Sequence, residues 1–386
     1  MTWRRAFADW KELDQRRPAA WWLGLSGTLA GAIALGALEL RRIAPRGAMR
    51  WVLVALLLIA LVAVGRRVFW NDGERRLRLP WRLVGFGLIA FLVKVAMSAV
   101  GLRLQPEEGG GSASVLRLSL TALAMLTTAA VVAVRVLDRR PVRELGIVPG
   151  PGFWGDLGFG LALGAALMTA IFAAEYGAGW IRIDAVAYTR SGAETFGGAA
   201  LRMAGVFACV AFYEELVSRG YLLRTLAQGF VGRRLRARGA LAIAVALSSL
   251  VFALGHVNNP NASVVSTVNI VFAGIVLALP YVLTGRLAAP IGFHATWNFF
   301  QSTVYGFPTS GFVTPASALQ IAQGGPSEWT GGAFGPEAGI VGIVALVLGV
   351  AAILGRERRR SGRVTVCTAL VEGTPTTVAR EAAIAV

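Results

Sequence analysis

Residues 239–285 read GALAIAVALSSLVFALGHVNNPNASVVSTVNIVFAGIVLALPYVLTG, and between Arg238 and Arg286 there is no Asp, Glu, Lys or Arg. A soluble fold cannot cover so long an uncharged stretch with polar surface, whereas 18 or more consecutive apolar residues suit a helix that crosses a bilayer. The break within it is the turn-forming cluster Asn258-Asn259-Pro260-Asn261, which divides the stretch into two helices. Working outward, apolar runs fall at 19–38, 51–65, 83–102, 118–134, 157–174, 198–229, 239–257, 262–285, 287–305 and 338–355. The expected fold is therefore all-α, a polytopic membrane helical bundle of about 8–10 transmembrane helices.

Composition agrees. Of 386 residues, 55% are hydrophobic and 15% charged, against about 25% charged in a soluble domain. A soluble enzyme, a disordered scaffold and a secreted disulfide framework are excluded. The net charge of +17 invites a nucleic-acid reading. The arginines lie between apolar runs, however, where they act as topology signals, so no nucleic-acid partner is expected. The partner is the lipid bilayer. Alternation from a cytoplasmic N-terminus puts 28 basic residues on the cytoplasmic side and nine on the other. Arg41, Arg42, Arg46 and Arg50 are the exception, falling on the outer side. Residues 1–18 then form a cytoplasmic lead, 19–175 the N-terminal transmembrane helices, 306–355 a loop and the last transmembrane helix, and 356–386 a cytoplasmic tail. Arginine outnumbers lysine 36 to 2, as in a high-GC bacterial genome, so the expected location is a bacterial inner (plasma) membrane. The two cysteines, Cys209 and Cys367, match no metal or disulfide spacing.

Ionisable groups inside spans are costly and mark functional sites. In Phe212-Tyr213-Glu214-Glu215-Leu216-Val217-Ser218-Arg219-Gly220 two carboxylates and an arginine interrupt an apolar helix. Glu215 and Arg219 are i,i+4 neighbours with the acid first, the better order for a pair. Glu214 points about 100° away, which leaves it free for chemistry. The bland alternative is a structural ion pair beside an interfacial glutamate. Both histidines of the chain lie in apolar runs with an Asn downstream: His256 follows Phe252 by four and precedes Asn259 by three, and His294 precedes Asn298 by four. A lone buried histidine is more often a hydrogen-bonded core residue, but here the whole histidine complement is placed this way. The midpoint of 214 and 256 falls in the basic turn Arg233–Arg238. Arms of about 20 residues at 1.5 Å rise bring Glu214 and His256 level across an antiparallel pair. Glu214, His256, His294 and Asn298 can thus converge on one cavity.

A carboxylate and an imidazole can orient and deprotonate a water for attack on a carbonyl, and a second histidine with an amide can hydrogen-bond the developing oxyanion. Alternatively Glu214, His256 and His294 supply the donor set of many catalytic zinc sites, so zinc or another divalent metal is an open cofactor expectation. Both readings point to hydrolysis within the bilayer, most simply of a peptide bond in a membrane-associated peptide or protein.

At these residues the chain resembles the CAAX protease and bacteriocin-processing (CPBP, or Abi) family of intramembrane endopeptidases. The family pattern is Glu-Glu-x-x-x-Arg, then Phe-x-x-x-His, then His-x-x-x-Asn. It is matched in order by Glu214, Glu215 and Arg219, by Phe252 and His256, and by His294 and Asn298. The resemblance covers roughly residues 195–305 and implies an all-helical catalytic core there. It further implies that Glu214 activates water with His256 beside it, that His294 and Asn298 stabilise the oxyanion, and that Glu215 and Arg219 are largely structural; Phe252, and Asn259 by its spacing from His256, are expected in structural support. Family members are commonly called metalloproteases, although a metal-free glutamate mechanism fits the same residues. The alternatives are a non-catalytic scaffold or immunity protein of the same fold, and a transporter using the buried Glu and His as a proton relay. A transporter would show paired interrupted helices, and the sequence has none. The oligomeric state is not legible.

Overall fold

The computed structural model describes residues 68–71, 74–102, 111–190, 192, 194–231 and 235–371. The N-terminal lead, the runs at 19–38 and 51–65 with the arginines between them, and the tail beyond residue 371 lie outside the described residues. The chain divides into two compact units at Arg82/Leu83. In the first, β1 (Trp70–Asn71) pairs antiparallel with β2 (Arg76–Leu77), Trp70 opposite Leu77. Helix α1 (Leu79–Ala99) crosses the boundary in sequence.

The second unit contains α2 (Ser112–Val136) and α3 (Pro151–Gly177). Next comes a continuous rod of α4 (Phe196–Glu215), a π-helical stretch (Leu216–Leu223) and α5 (Arg224–Phe230). Then follow α6 (Ala237–Leu254), α7 (Val264–Thr284), α8 (Ala288–Asn298) with a second π stretch (Phe299–Val304), the short α9 (Ser327–Thr330) and α10 (Ile340–Ser361). Among the described residues seven helices are long and apolar enough to cross a membrane: α1, α2, α3, the Phe196–Phe230 rod, α6, α7 and α10. The protein is a multi-pass membrane protein.

Local chemistry sets the boundaries. Pro151 opens α3, where its missing N–H is no loss. The Thr195 side chain caps α4 by accepting from the Gly198 N–H. Ser263 and Ser266 cap each other at the start of α7, which ends on Gly285 at φ 71°. The Asn258–Asn261 cluster does turn the chain between α6 and α7, with Asn261 at φ 60°, a left-handed conformation that Asn tolerates.

The apolar run at 287–305 behaves differently from the others. The 11 residues of α8 and six of its π stretch reach only about 25 Å, short of a hydrocarbon core of about 30 Å. The segment needs no match to lipid because it packs inside protein, above all against α3. Gly160 and Gly164 of α3 and Gly292 of α8 permit this. A methyl group at Gly160 would lie 2.2 Å from the Ala289 carbonyl oxygen, at Gly164 2.4 Å from that of Phe293, and at Gly292 2.5 Å from that of Leu157. Small residues four apart allow such backbone approach between membrane helices.

The two ends of this unit differ. At one, arginines gather: Arg140 and Arg224 around Glu144, and Arg286, Arg356 and Arg360 around Asp156. At the other, β3 (Ile181–Thr189) pairs antiparallel with β4 (Ala316–Gln323), Ile181 opposite Gln323, with an irregularity between Ile183 and Ala185. The charge alternation puts the 175–197 and 306–337 loops on one side of the bilayer, and the β3–β4 pairing requires the same. The bundle is helical as expected, and these short strands are an addition to it. Ile181, Ile183, Val186, Tyr188 and Thr189 are strand formers, but their partner lies far along the chain. At the same end Glu194 accepts from Ser112 Oγ (2.6 Å) and Arg202 Nη2 (2.5 Å), tying the start of α2 to α4.

Candidate active site

Three segments build the site. Helix α4 carries Glu214 and Glu215 in its last turn, directly before the π stretch that carries Arg219. Helix α6 ends at Leu254, so Phe252 stands in its last turn and His256 in the turn beyond it. Helix α8 carries His294 and ends at Asn298, again directly before a π stretch. Wide π turns are rare and gather at functional sites. A regular helical reading of the sequence contains no sign of them.

Glu215 and Arg219 form the expected i,i+4 pair, Oε1 to Nη1 at 2.9 Å, with both side chains at most 1% exposed. The same Glu215 oxygen also lies 2.9 Å from Nδ1 of His294. A carboxylate accepts, so Nδ1 carries the hydrogen, and Nε2 lies 3.8 Å from Oε2 of Glu214. That gap is too long for a direct hydrogen bond and suits a bridging water. Arg219 Nη2 donates to the Gly274 carbonyl at 3.0 Å, and the guanidinium lies 4.5 Å from the Phe252 ring centroid, a cation–π contact. Phe252 meets both histidines, His256 at 4.8 Å and His294 edge-on at 6.2 Å between centroids. Gly220, next to Arg219, admits the Leu145 carbonyl, which a methyl group there would approach to 2.6 Å.

Glu214, His256, Asn259, His294 and Asn298 all line one cavity of about 660 Å³. The imidazole within 4 Å of Glu214 is His294; His256 reaches the cavity wall from its turn. Its Nδ1 donates to the Phe252 carbonyl at 2.8 Å, which leaves Nε2 for a ligand. Asn259 donates to the Ser310 carbonyl at 3.0 Å. Oε2 of Glu214 is buried and has no hydrogen-bond partner among the described residues. Leu118 of α2 and Met203, Phe207 and Val210 of α4 form an apolar wall, and no Lys or Arg lines the cavity among the described residues.

The sequence reading missed Glu337, which also lines this cavity. Its Oε2 accepts from the Ser310 N–H (2.6 Å) and Oγ (2.9 Å). Burial pushes its carboxyl above the usual carboxylate range, against the downward pull of those two bonds. The available signal was an acid standing immediately before the last apolar run.

No three His, Cys, Asp or Glu side chains among the described residues gather closely enough to hold a metal ion. Glu215 and the Phe252 carbonyl each hold the Nδ1 of one histidine, which leaves both Nε2 atoms free for a water, a substrate or a metal.

No curated protein and no solved structure matches the chain. Residues 196–300, which contain all seven motif residues, match the family model of Rce1-like proteins, described as type II CAAX prenyl endopeptidase Rce1-like, in agreement with the CPBP resemblance that the motifs carry.

Proposed function

We propose that the protein is an intramembrane endopeptidase that hydrolyses a peptide bond in a membrane-associated peptide or protein. The observation that carries this reading is the unpartnered Glu214 oxygen facing His294 Nε2 across 3.8 Å in a cavity that no Lys or Arg lines among the described residues. A water held between the two gives its proton to Glu214 as its oxygen attacks the scissile carbonyl carbon. Glu214 then passes the proton to the leaving amine, which departs as the C–N bond breaks. Two carboxylates against one guanidinium leave room for one more positive charge, which a proton on His294 supplies. Protonated His294 and the Asn298 amide, four apart on one helix, donate to the oxyanion. His256 Nε2 holds the substrate or the water from the opposite wall. Glu215 and Arg219 orient His294, and the apolar wall receives the membrane-embedded part of the substrate.

The spread of these donors, no three of which gather closely among the described residues, favours a metal-free glutamate mechanism over a resident zinc. Elemental analysis of the purified protein and activity in the presence of a chelator test that choice, with zinc-free, chelator-resistant cleavage expected. The arginine-rich end lies on the cytoplasmic side by the positive-inside rule, which puts the end of α10 there, in a bacterial inner membrane. The test of function is cleavage of candidate membrane peptides by purified wild type, Glu214→Gln and His256→Ala. Loss of cleavage in both with unchanged thermal midpoints is expected. Cleavage by the variants at the wild-type rate would overturn the hydrolytic site and favour a scaffold role.

A further inference from the structure

At the arginine-rich end, between α3 and α10, lies a second crevice. Arg356, Arg359 and Arg360 of α10 line it, facing Phe159 of α3. Their i, i+3, i+4 spacing puts them on one helix face. At its root Asp156, 1% exposed, accepts from Arg286 Nε at 2.7 Å, Arg356 Nη2 at 2.8 Å and Arg360 Nη1 at 3.2 Å. One carboxylate against three guanidiniums leaves two positive charges uncompensated. Exposed Arg359 adds a third, with no ion-pair partner among the described residues. Glu357, the one acid of α10, pairs with none of them and does not line the crevice. Arg356 also stacks over the Phe159 ring at 4.5 Å, which holds its plane fixed. An arginine belt serving topology alone would splay into water, whereas Arg356 and Arg360 converge on Asp156.

The position suits one class of ligand. The crevice lies where the apolar length of α10 gives way to its basic last turns, the level of lipid headgroups. Guanidinium forks match phosphate oxygens bidentately, and basic pockets between membrane helices suit anionic headgroups. We propose that the crevice between α3 and α10 binds a phosphate group, as carried by an anionic phospholipid headgroup or by free phosphate, through Arg356, Arg359 and Arg360 around the Asp156 hub. The bound phosphate draws α10 onto α3. Because Arg286 shares the hub and leads directly into α8, occupancy also steadies the helix that carries His294 and Asn298.

The test is the thermal midpoint of the full chain in non-ionic detergent, titrated with short-chain phosphatidylglycerol, short-chain phosphatidylcholine or inorganic phosphate. The variants are Arg359→Gln, the double variant Arg359→Gln/Arg360→Gln, and Arg358→Gln, which removes the same charge off the crevice face. Phosphatidylglycerol should raise the wild-type midpoint and phosphatidylcholine should not. The half-effect concentration should rise roughly 30-fold in the double variant, less in Arg359→Gln, and hardly in Arg358→Gln. A shift with inorganic phosphate of the same size assigns the site to free phosphate, and a shift with the lipid alone assigns it to the headgroup. No shift with any of these probes, or equal responses from all four proteins, overturns the proposal. Arg359→Gln breaks no ion pair among the described residues, so its result stands even if the double variant folds poorly.

Discussion

The cavity and the arginine-rich end are built from the same side-chain types in opposite proportions. At the active site Glu214 and Glu215 stand beside a single guanidinium, that of Arg219, which pairs with Glu215, and Glu215 is additionally tied to His294. Carboxylate is in excess, so one oxygen of Glu214 and one of Glu215 are left without a hydrogen-bond partner among the described residues, and that of Glu214 belongs to the residue that lines the cavity. At the other end Asp156 is divided among Arg286, Arg356 and Arg360. Guanidinium is in excess, so donors are left over. A buried acid–base pair alone says little about role, since such pairs often contribute no net stability. The ratio of acid to base around the pair decides whether the cluster offers an acceptor for a proton or donors for an anion.

The comparison can be broken most sharply by exchanging the two adjacent glutamates. Glu214→Gln removes the spare acceptor and should lower the cleavage rate at least about 100-fold while the thermal midpoint stays put. Glu215→Gln loosens Arg219 and His294 and should lower rate and midpoint together. Identical behaviour of the two variants in parallel rate and melting measurements would erase the distinction. Next in size is Arg219→Leu, which strands a buried carboxylate at a cost of about 3–5 kcal/mol, read from denaturant midpoints. The double variant Glu215→Leu/Arg219→Leu should recover part of that loss, and no recovery would count against the pair as the cause.

Asp156→Asn tests the other end. Its arginine partners are 24% to 42% exposed, so water screens much of the repulsion it releases, and a loss of about 1–2 kcal/mol is expected. A loss as large as that of Arg219→Leu would show that the two clusters do not differ in kind. The smallest effect concerns Glu337. Its folded-state value is raised by burial, so the folded protein favours its protonated form. That contribution is complete below the unfolded value near about pH 4.3 and is lost as pH rises through the folded value. Glu337→Gln keeps an oxygen for Ser310 and should flatten the fall of the midpoint across that window. Parallel pH profiles for variant and wild type would contradict it.

Much of this was legible because membrane spans and i,i+4 pairs are local. The uncharged runs marked the helices, the Asn258–Asn261 cluster marked the turn between α6 and α7, and the Glu215–Arg219 spacing marked their pair. The run at 287–305 misled on one point. Hydropathy reports an apolar environment without distinguishing lipid from protein, and α8 is buried against α3 by glycines that only matter once the two helices meet. Strands β3 and β4 were hidden for a related reason, since each is a short segment whose hydrogen-bond partner comes from a different loop.

That the chain crosses a membrane several times, and which acids, histidines and amides lie in its apolar runs, can be read from the residues alone, because burial in hydrocarbon and helical periodicity act over a few turns. That Glu215 holds His294 as well as Arg219, that Glu337 joins the cavity, and that three arginines share Asp156 emerges from the folded molecule. Those arrangements depend on distances between helices, which packing sets and which no local spacing encodes.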